Sequence, residues 1–310
     1  MRDRSNGRSA RAIFKMDSRL PTCIPHIGPY RGRRAVLATM HGKQAAVQPP
    51  FRDCLGLTVW TPPGLDTDAL GTFTGEIRRV GSITETALAK AQLGMAAASA
   101  SIGIASEGSY GPHPHIPFVA AGIEVMVVID DERGLVIREQ LVDEAPMFDH
   151  MIVNDQAAID SFLSRIGFPD HAVIVQPHQP DDDKPLIVKG IRAKGELEKA
   201  LSSAAARSMN ERALIQTDMR AHMNPSRMAA LNRLAQKLCA RLASPCRHCG
   251  SPGFGMVEVE KGLPCSWCGG PSLMAIHRVF GCTACDHRER RPREDGRTKA
   301  DPGSCSQCNP

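Results

Sequence analysis

Residues 34–55 read RAVLATMHGKQAAVQPPFRDCL, and this stretch decides the fold class. Residues 34–38 are a short run that suits a buried strand. The polar turn Thr39-Met-His-Gly-Lys43 follows without a break, and the chain then reads as a helix to Cys54. A strand that leaves through a polar turn into a helix is the building unit of layered α/β architecture.

Working outward, residues 57–60 form a second strand, followed by a turn with Pro62, Pro63 and Gly64 and an acidic loop with Asp66 and Asp68. The alanine-rich stretch 85–98 is helical by composition, with Ser82 or Thr84 available to cap it. Strands are expected at 101–105 and 124–129. The intervening 108–117, rich in glycine and proline, reads as a shaped loop. Helices at 157–166 and 195–209 alternate with strands at 172–176, 186–191 and 213–217. The helix at 225–242 is the best defined. Asn224 caps it, Pro225 takes its first position, and Met228, Leu231, Leu234, Leu238 and Leu242 make one apolar stripe. The expectation is therefore one α/β domain over 35–244, built on a layered mixed sheet.

Charge is placed unevenly along the 310 residues. Nine Lys/Arg and two acidic residues in 1–34 give that segment +7, whereas the remainder carries 29 basic and 31 acidic residues. Pro21, Pro25 and Pro29 break the opening segment, which reads as a flexible extension or as translation from an upstream start. It has no apolar stretch of the secretory kind. No run reaches the ~18 apolar residues of a membrane helix, so a soluble cytoplasmic protein without membrane contact is expected. Aromatic residues make up 4% of the chain, too few for an extensive base-stacking surface.

Eight of the eleven cysteines form four Cys-x-x-Cys knuckles: Cys246/Cys249, Cys265/Cys268, Cys282/Cys285 and Cys305/Cys308. Two thiolates at this spacing can turn onto one tetrahedral ion, so four knuckles predict two structural Zn²⁺ in a module over 245–310. A disulfide framework is disfavoured in a reducing compartment. Pairing can be sequential or interleaved, and strand-like stretches at 257–261 and 276–280 favour sequential ribbons. His248, His277 and His287 are spare ligands. Cys23, Cys54 and Cys239 carry no pattern that marks a nucleophile. With both metals bound, 246–310 is slightly acidic, so a protein-contact role is preferred over nucleic-acid binding. The local cluster Arg288, Arg290, Arg291, Arg293, Arg297 keeps the latter open.

Three polar clusters follow strand ends, where α/β folds place ligands. The first is Thr39-Met-His41-Gly-Lys43 at a helix mouth, which suits phosphate or is an ordinary turn. The second, 106–115, holds Glu107, placed to bind Mg²⁺ or orient water, together with His113 and His115. The third, 217–227, brings Arg220, His222 and Arg227 to a capped helix N-terminus. The bland alternative there is an Arg220–Asp218 structural ion pair. Asp66, Asp68, Glu76, Asp130 and Asp131 are further acidic candidates, each read first as a solvated carboxylate.

On the stretches ALATMHGK, DTDALGTFTGEI, ASEGSYGPHP, GFPDHAVIV, IVKGI, TDMRAHMNPSRM and ADPGSCSQCNP, residues 36–310 resemble an uncharacterised bacterial family. It is the domain of unknown function numbered 6671, and it implies no activity. A second resemblance covers 35–131. ALATMHGK, LTVWTPP, ETALAKAQLGMAAA, SIGIASEGSYG and GIEVMVVIDDERG are similar in layout to the Ham1/Maf-like inosine/xanthosine triphosphate pyrophosphatase superfamily. That resemblance implies a nucleotide pyrophosphohydrolase in which Lys43 contacts phosphate and Glu107 helps bind Mg²⁺. The chain departs from the Ser/Thr-x-Asn-x-x-Lys pattern at Ala38 and Met40. Two expectations result. One is Mg²⁺-assisted hydrolysis of a nucleotide or similar phosphoanhydride, with Lys43 and Glu107 catalytic and Thr39, His41, His113, Arg220, His222 and Arg227 binding ligand. The other is a non-catalytic zinc-ribbon protein docking on nucleic acid or a protein partner.

Overall fold

The computed structural model describes residues 28–71, 79, 81–113, 118–153, 155–181 and 186–309. The opening strand is β1 (Arg34–Ala38), followed by helix α1 (Gln44–Leu55), β2 (Thr58–Trp60), α2 (Ile83–Ala98), and the long strands β3 (Ile102–Pro112), β4 (Ala120–Asp130) and β5 (Leu135–Asp143). They form one five-stranded sheet of order β2-β1-β3-β4-β5. β1 runs parallel to β2 and β3, with Val36 opposite Gly103 and Ala38 opposite Ala105, while β3, β4 and β5 are antiparallel. The crossover helices cover the two faces. Because strand side chains alternate, Leu37, Ile102, Ile104 and Met126 pack with α1, whereas Val36, Ala38, Ala105 and Val127 pack under α2.

α2 lies unusually close to the sheet. A methyl group on Gly103 would sit 2.5 Å from Met95 Cγ and Sδ, and one on Gly94 would be 3.0 Å from Ala38 Cβ. Its start is a full capping box, with Ser82 Oγ accepting from Glu85 N at 3.2 Å and Glu85 Oε2 accepting from Ser82 N at 2.7 Å.

The body holds a second sheet rather than one continuous layer. β6 (His150–Ile152), α3 (Gln156–Ile166), β7 (Val173–Pro177), β8 (Val188–Ile191), α4 (Lys194–Ala205) and β9 (Ala213–Thr217) form a four-stranded antiparallel sheet of order β6-β9-β7-β8. Its core is separate and includes Phe162, Ile166, Val173, Val175, Leu197 and Ile215. Helix α5 (Pro225–Leu242) then returns to the first sheet and packs beside α1. Asn224 Oδ1 accepts from Arg227 N at 2.9 Å, and Leu231, Leu234, Leu238 and Leu242 are buried as the stripe requires.

The expected loop at 108–117 is strand as far as Pro112, because Gly108 pairs with Glu124 and Pro112 with Ala120 on the β4 ladder. His115 and Glu76 lie outside the described residues. β5 escaped the sequence reading although Leu135 and Ile137 are buried and Val136 and Arg138 are exposed, the alternation of a half-buried strand.

After α5 come β10 (Gly255–Lys261), β11 (Ala275–Gly281) and β12 (Arg288–Pro292), an antiparallel sheet ordered β10-β11-β12. This module is tied to the first sheet. Arg241 donates to Gly253 O at 3.1 Å and Arg138 O at 2.9 Å, and Ser244 O accepts from Gly253 N and Phe254 N, each at 3.0 Å. Gly253 has φ +92°, and a Cβ there would lie 2.3 Å from Ile137 Cδ1, so both conformation and space demand glycine. Among the described residues, no helix is long and apolar enough to cross a membrane.

Candidate functional site

The eight knuckle cysteines converge in two groups, Cys246, Cys249, Cys282, Cys285 and Cys265, Cys268, Cys305, Cys308. Within each group all ligand atoms lie within 4.8 Å of one another. The sulfur separations are 3.9 Å for Cys246–Cys285, 3.6 Å for Cys249–Cys282, 3.8 Å for Cys265–Cys308 and 3.7 Å for Cys268–Cys305. A tetrahedron with Zn–S bonds of about 2.3 Å has edges of roughly 3.8 Å, whereas a disulfide needs about 2.05 Å. The groups can therefore hold metal ions, and their all-sulfur chemistry is consistent with zinc. Hydrogen bonds from Ser251 bring the Cys249 thiol down to about 6. Those from the backbone N–H groups of Cys308 and Gln307 bring Cys305 down to about 7. In the same groups Cys285, against the lowering hydrogen bond from the His287 backbone, and Cys308 are pushed up to about 12 by the neighbouring thiols, so the sulfurs share protons until an ion replaces them.

Pairing is interleaved, which corrects the expected sequential ribbons. The strands between the knuckles are the cause. β10 pairs with β11 from Gly255↔Gly281 to Lys261↔Ala275, so the residues before β10 and after β11 meet at one end. The second knuckle lies at the far end of that hairpin, where the bridge Cys265↔Ala300 brings the fourth beside it. Seven extended residues span roughly 20 Å, too far for adjacent knuckles to share an ion.

His248, His277 and His287 stand outside both groups. His287 pairs with Glu289 and His277 with Glu260, each at 3.3 Å. The arginine cluster is matched by carboxylates: Arg288–Glu258 at 3.4 Å, Arg290–Glu260 at 2.6 Å, Arg291–Glu289 at 2.8 Å and Arg293–Asp295 at 2.5 Å. Pairing of this kind removes the excess positive charge that phosphate binding requires.

A second constellation sits where the carboxyl end of β1 meets the middle of β3, Ala38 lying opposite Ala105. Lys43, the residue before α1, is buried and donates from Nζ to Ser106 O at 3.0 Å and Ser106 Oγ at 3.1 Å. Burial lowers its pKa to about 8, with Arg227 adding to the effect and Glu124 and Glu107 opposing it. Thr39 Oγ1 accepts from His41 N at 3.2 Å. His41 Nε2 faces Asp68 at 3.3 Å, and its ring stacks on His222 at 5.4 Å. Burial depresses the His41 pKa to about 4 and also lowers that of His222, so both rings are neutral at pH 7.

Glu107 lies on the other face of β3, where Lys90 of α2 reaches Oε2 and Arg79 reaches Oε1, each at 2.7 Å. Burial pushes this carboxyl up, but Lys43, Lys90 and Arg79 outweigh it and leave it below the ordinary range. One residue on, Gly108 makes room for a third group. Glu124 Oε1 accepts from Arg227 Nε at 2.7 Å and from Tyr110 OH at 2.5 Å, and Arg227 Nη1 also donates to Met219 O.

Lys43, Glu107 and Arg227 thus belong to one electrostatic cluster. His41 and His222 stack at its edge, with Arg220 within electrostatic range. Arg220 makes bonds of 3.0, 3.1 and 2.6 Å to the carboxylate of the fully buried Asp218, the structural ion pair foreseen as the alternative. Arg227 is likewise an internal partner of Glu124 rather than an open ligand group. His113 falls one residue past β3, roughly 20 Å along the strand from Glu107. Asp66 Oδ1 accepts from Asp68 N at 2.9 Å, and the buried Asp130 pairs with Arg133 at 3.0 Å.

Lys90, Glu124 and Arg79 went unnoticed in the sequence. Lys90 shares a helical face with Ala87, Ala91 and Gly94, all buried, and Glu124 lies inside the apolar strand β4. A charge inside an apolar pattern was the available signal. The carboxylates do not suit Mg²⁺. Glu107 spends both oxygens on cations, and Glu124 is held by Arg227 and Tyr110. Among the described residues the groups of three or more ligating side chains are the two cysteine tetrads.

A family model described as a domain of unknown function (DUF6671) matches residues 90–310, beginning inside α2 and taking in β3 onward and both cysteine groups. No curated protein matches the chain.

Proposed function

We propose, from the premise that this chain belongs to the DUF6671 family, that it binds a phosphate-bearing small molecule of the nucleotide class. The site is where the carboxyl end of β1 meets the middle of β3, and the cysteine groups hold two structural zinc ions. The supporting observation is an imbalance of buried charge. Among the described residues the buried Lys43, Lys90 and Arg227 and the part-exposed Arg79 surround two carboxylates, Glu107 and Glu124, and Lys43 hydrogen-bonds Ser106 alone. A buried ammonium facing neutral acceptors is costly, and an anion relieves it. The start of the twelve-residue α1, one turn after β1, adds the positive end of a helix dipole and carries no side-chain cap. Lys43 would meet the phosphate oxygens, with Thr39, His41 and His222 as neutral hydrogen-bonding neighbours.

Phosphoanhydride hydrolysis is the activity such a site would carry. Glu107 fits the positioning of Lys90 and Arg79 better than that of a metal ion, so binding is the conclusion and turnover is read in the same experiment. Calorimetric titration with pyrophosphate and with nucleoside mono-, di- and triphosphates, together with phosphate release in the presence of Mg²⁺, tests both. Micromolar binding weakened about tenfold or more by Lys43→Met supports the reading. Absence of binding across the panel, or equal binding by the variant, overturns it.

A protein partner for the zinc module is a second reading, carried by Trp267, which is 77% exposed within its knuckle. The carboxylate-matched arginines weigh against nucleic acid.

A further inference from the structure

The seam between the body and the metal module encloses a cavity of about 790 Å³, well away from the charge cluster in the fold. Small-molecule sites commonly have volumes of about 300–1,000 Å³ and lie where two structural units meet. On the body side, Leu55 and Leu242 line it from the ends of α1 and α5. On the module side it is lined by Phe254 and Phe280 and by the guanidinium groups of Arg247 and Arg291. Among the described residues its lining includes those two arginines and no carboxylate, although Glu289 bonds Arg291 from outside it.

The module wall is flat and cationic. Arg291 Cζ lies 4.0 Å from the centroid of Phe280 and 6.0 Å from that of Phe254, whose rings are 6.4 Å apart. His287 stacks on Phe254 at 5.7 Å and His248 on His287 at 6.0 Å, extending the aromatic row outward. Glu289 takes one edge of Arg291 at 2.8 Å, which fixes the guanidinium over the rings. Arg247 sits between Cys246 and Cys249, so the first metal group fixes its backbone.

We infer that this cavity is a second ligand site, and that it takes a planar apolar anion: an aromatic ring system bearing one acidic group. The rings and leucines would bury the flat body, and Arg247, together with the guanidinium edge of Arg291 that Glu289 leaves open, would meet the acid. The inference is independent of the phosphate reading, since it shares no residue with the cluster around Lys43.

The test titrates the zinc-loaded full chain with 8-anilino-1-naphthalenesulfonate and, in parallel, with the uncharged N-phenyl-1-naphthylamine, following fluorescence. One saturable anion site per chain is expected. Arg247→Gln combined with Arg291→Gln should weaken the sulfonate about tenfold or more while changing the neutral amine less than about twofold. Ala243→Trp, which fills the seam, should block both probes. Zinc content and circular dichroism establish that each variant is folded. No saturable sulfonate site, or equal loss of both probes in the arginine variant, overturns the inference. Binding that appears only after residues 1–27 are removed also overturns it, in favour of the chain's own leading segment as occupant.

Discussion

The five-stranded sheet and the metal module handle charge in opposite ways. In the sheet, Lys43, Glu107, Glu124 and Arg227 are buried among apolar strands, and each contact acts through a medium that screens little. In the module, β10 and β12 are largely exposed and their arginine–glutamate pairs face water. Few large apolar side chains are buried there, chiefly Phe254, Leu263 and Val279, so metal held by the two cysteine groups would supply the order that the sheet obtains from its core. Similar residue types are therefore held in a buried, weakly screened cluster in one region and face water in the other.

Metal removal should separate the two regions most sharply. Structural zinc contributes about 10–16 kcal/mol per site at neutral pH. Chelation, or Cys246→Ser, should therefore unfold β10–β12 while β1, β3 and β4 persist. Hydrogen exchange by residue reads this directly, and protection retained in β10 and β11 without metal would erase the contrast. Next in size is Glu124→Gln, which leaves Arg227 buried without its counter-charge and should cost about 3–5 kcal/mol in a denaturant melt. A loss under about 1 kcal/mol would mean that the body screens charge as the module does.

Lys43→Met should act in the other direction. The folded pKa of about 8 lies below the ordinary 10.5, so the folded state binds this proton more weakly than the unfolded chain. The resulting penalty is fully present below pH 8 and fades as pH climbs from about 8 towards 10.5. The variant should thus be more stable at pH 7, by up to about 3 kcal/mol, with the advantage vanishing by pH 10.5. Denaturation at both pH values measures it. A destabilised variant at pH 7 would show that Lys43 is a structural group. The smallest effect is expected for Arg290→Ala, whose exposed pair with Glu260 should be worth about 0–1 kcal/mol and should disappear in high salt.

Local signals in the chain carried much of this. The strand and turn at 34–43, the capped helix α5 and the four knuckles are set by neighbours within a few residues, and they were legible. Two things were not. The break between the five-stranded and four-stranded sheets depends on which strands pair at long range, and β6 is only three residues long. Pairing of the knuckles depends on the β10–β11 register, so the strands that suggested sequential ribbons are the ones that forbid them. At the cluster beside β1 and β3, Lys43 and Glu107 were picked out as residues following strands, although Glu107 lies within β3. Lys90 and Glu124 were passed over because an apolar helix or strand was read as core without asking what a single charge within it must meet.

Interleaved ligation also orders events in time. Cys265 and Cys268 leave the ribosome before Cys282 and Cys285, so an ion captured early has the wrong neighbour nearest to hand. Only a formed β10–β11 hairpin holds the second knuckle away and presents the third. Because metal removal is expected to unfold that hairpin, ligation and hairpin closure would be one coupled event, with each ion fixing the register as it forms. A chain whose hairpin is slow to close would be trapped with the right number of metals in the wrong partnership.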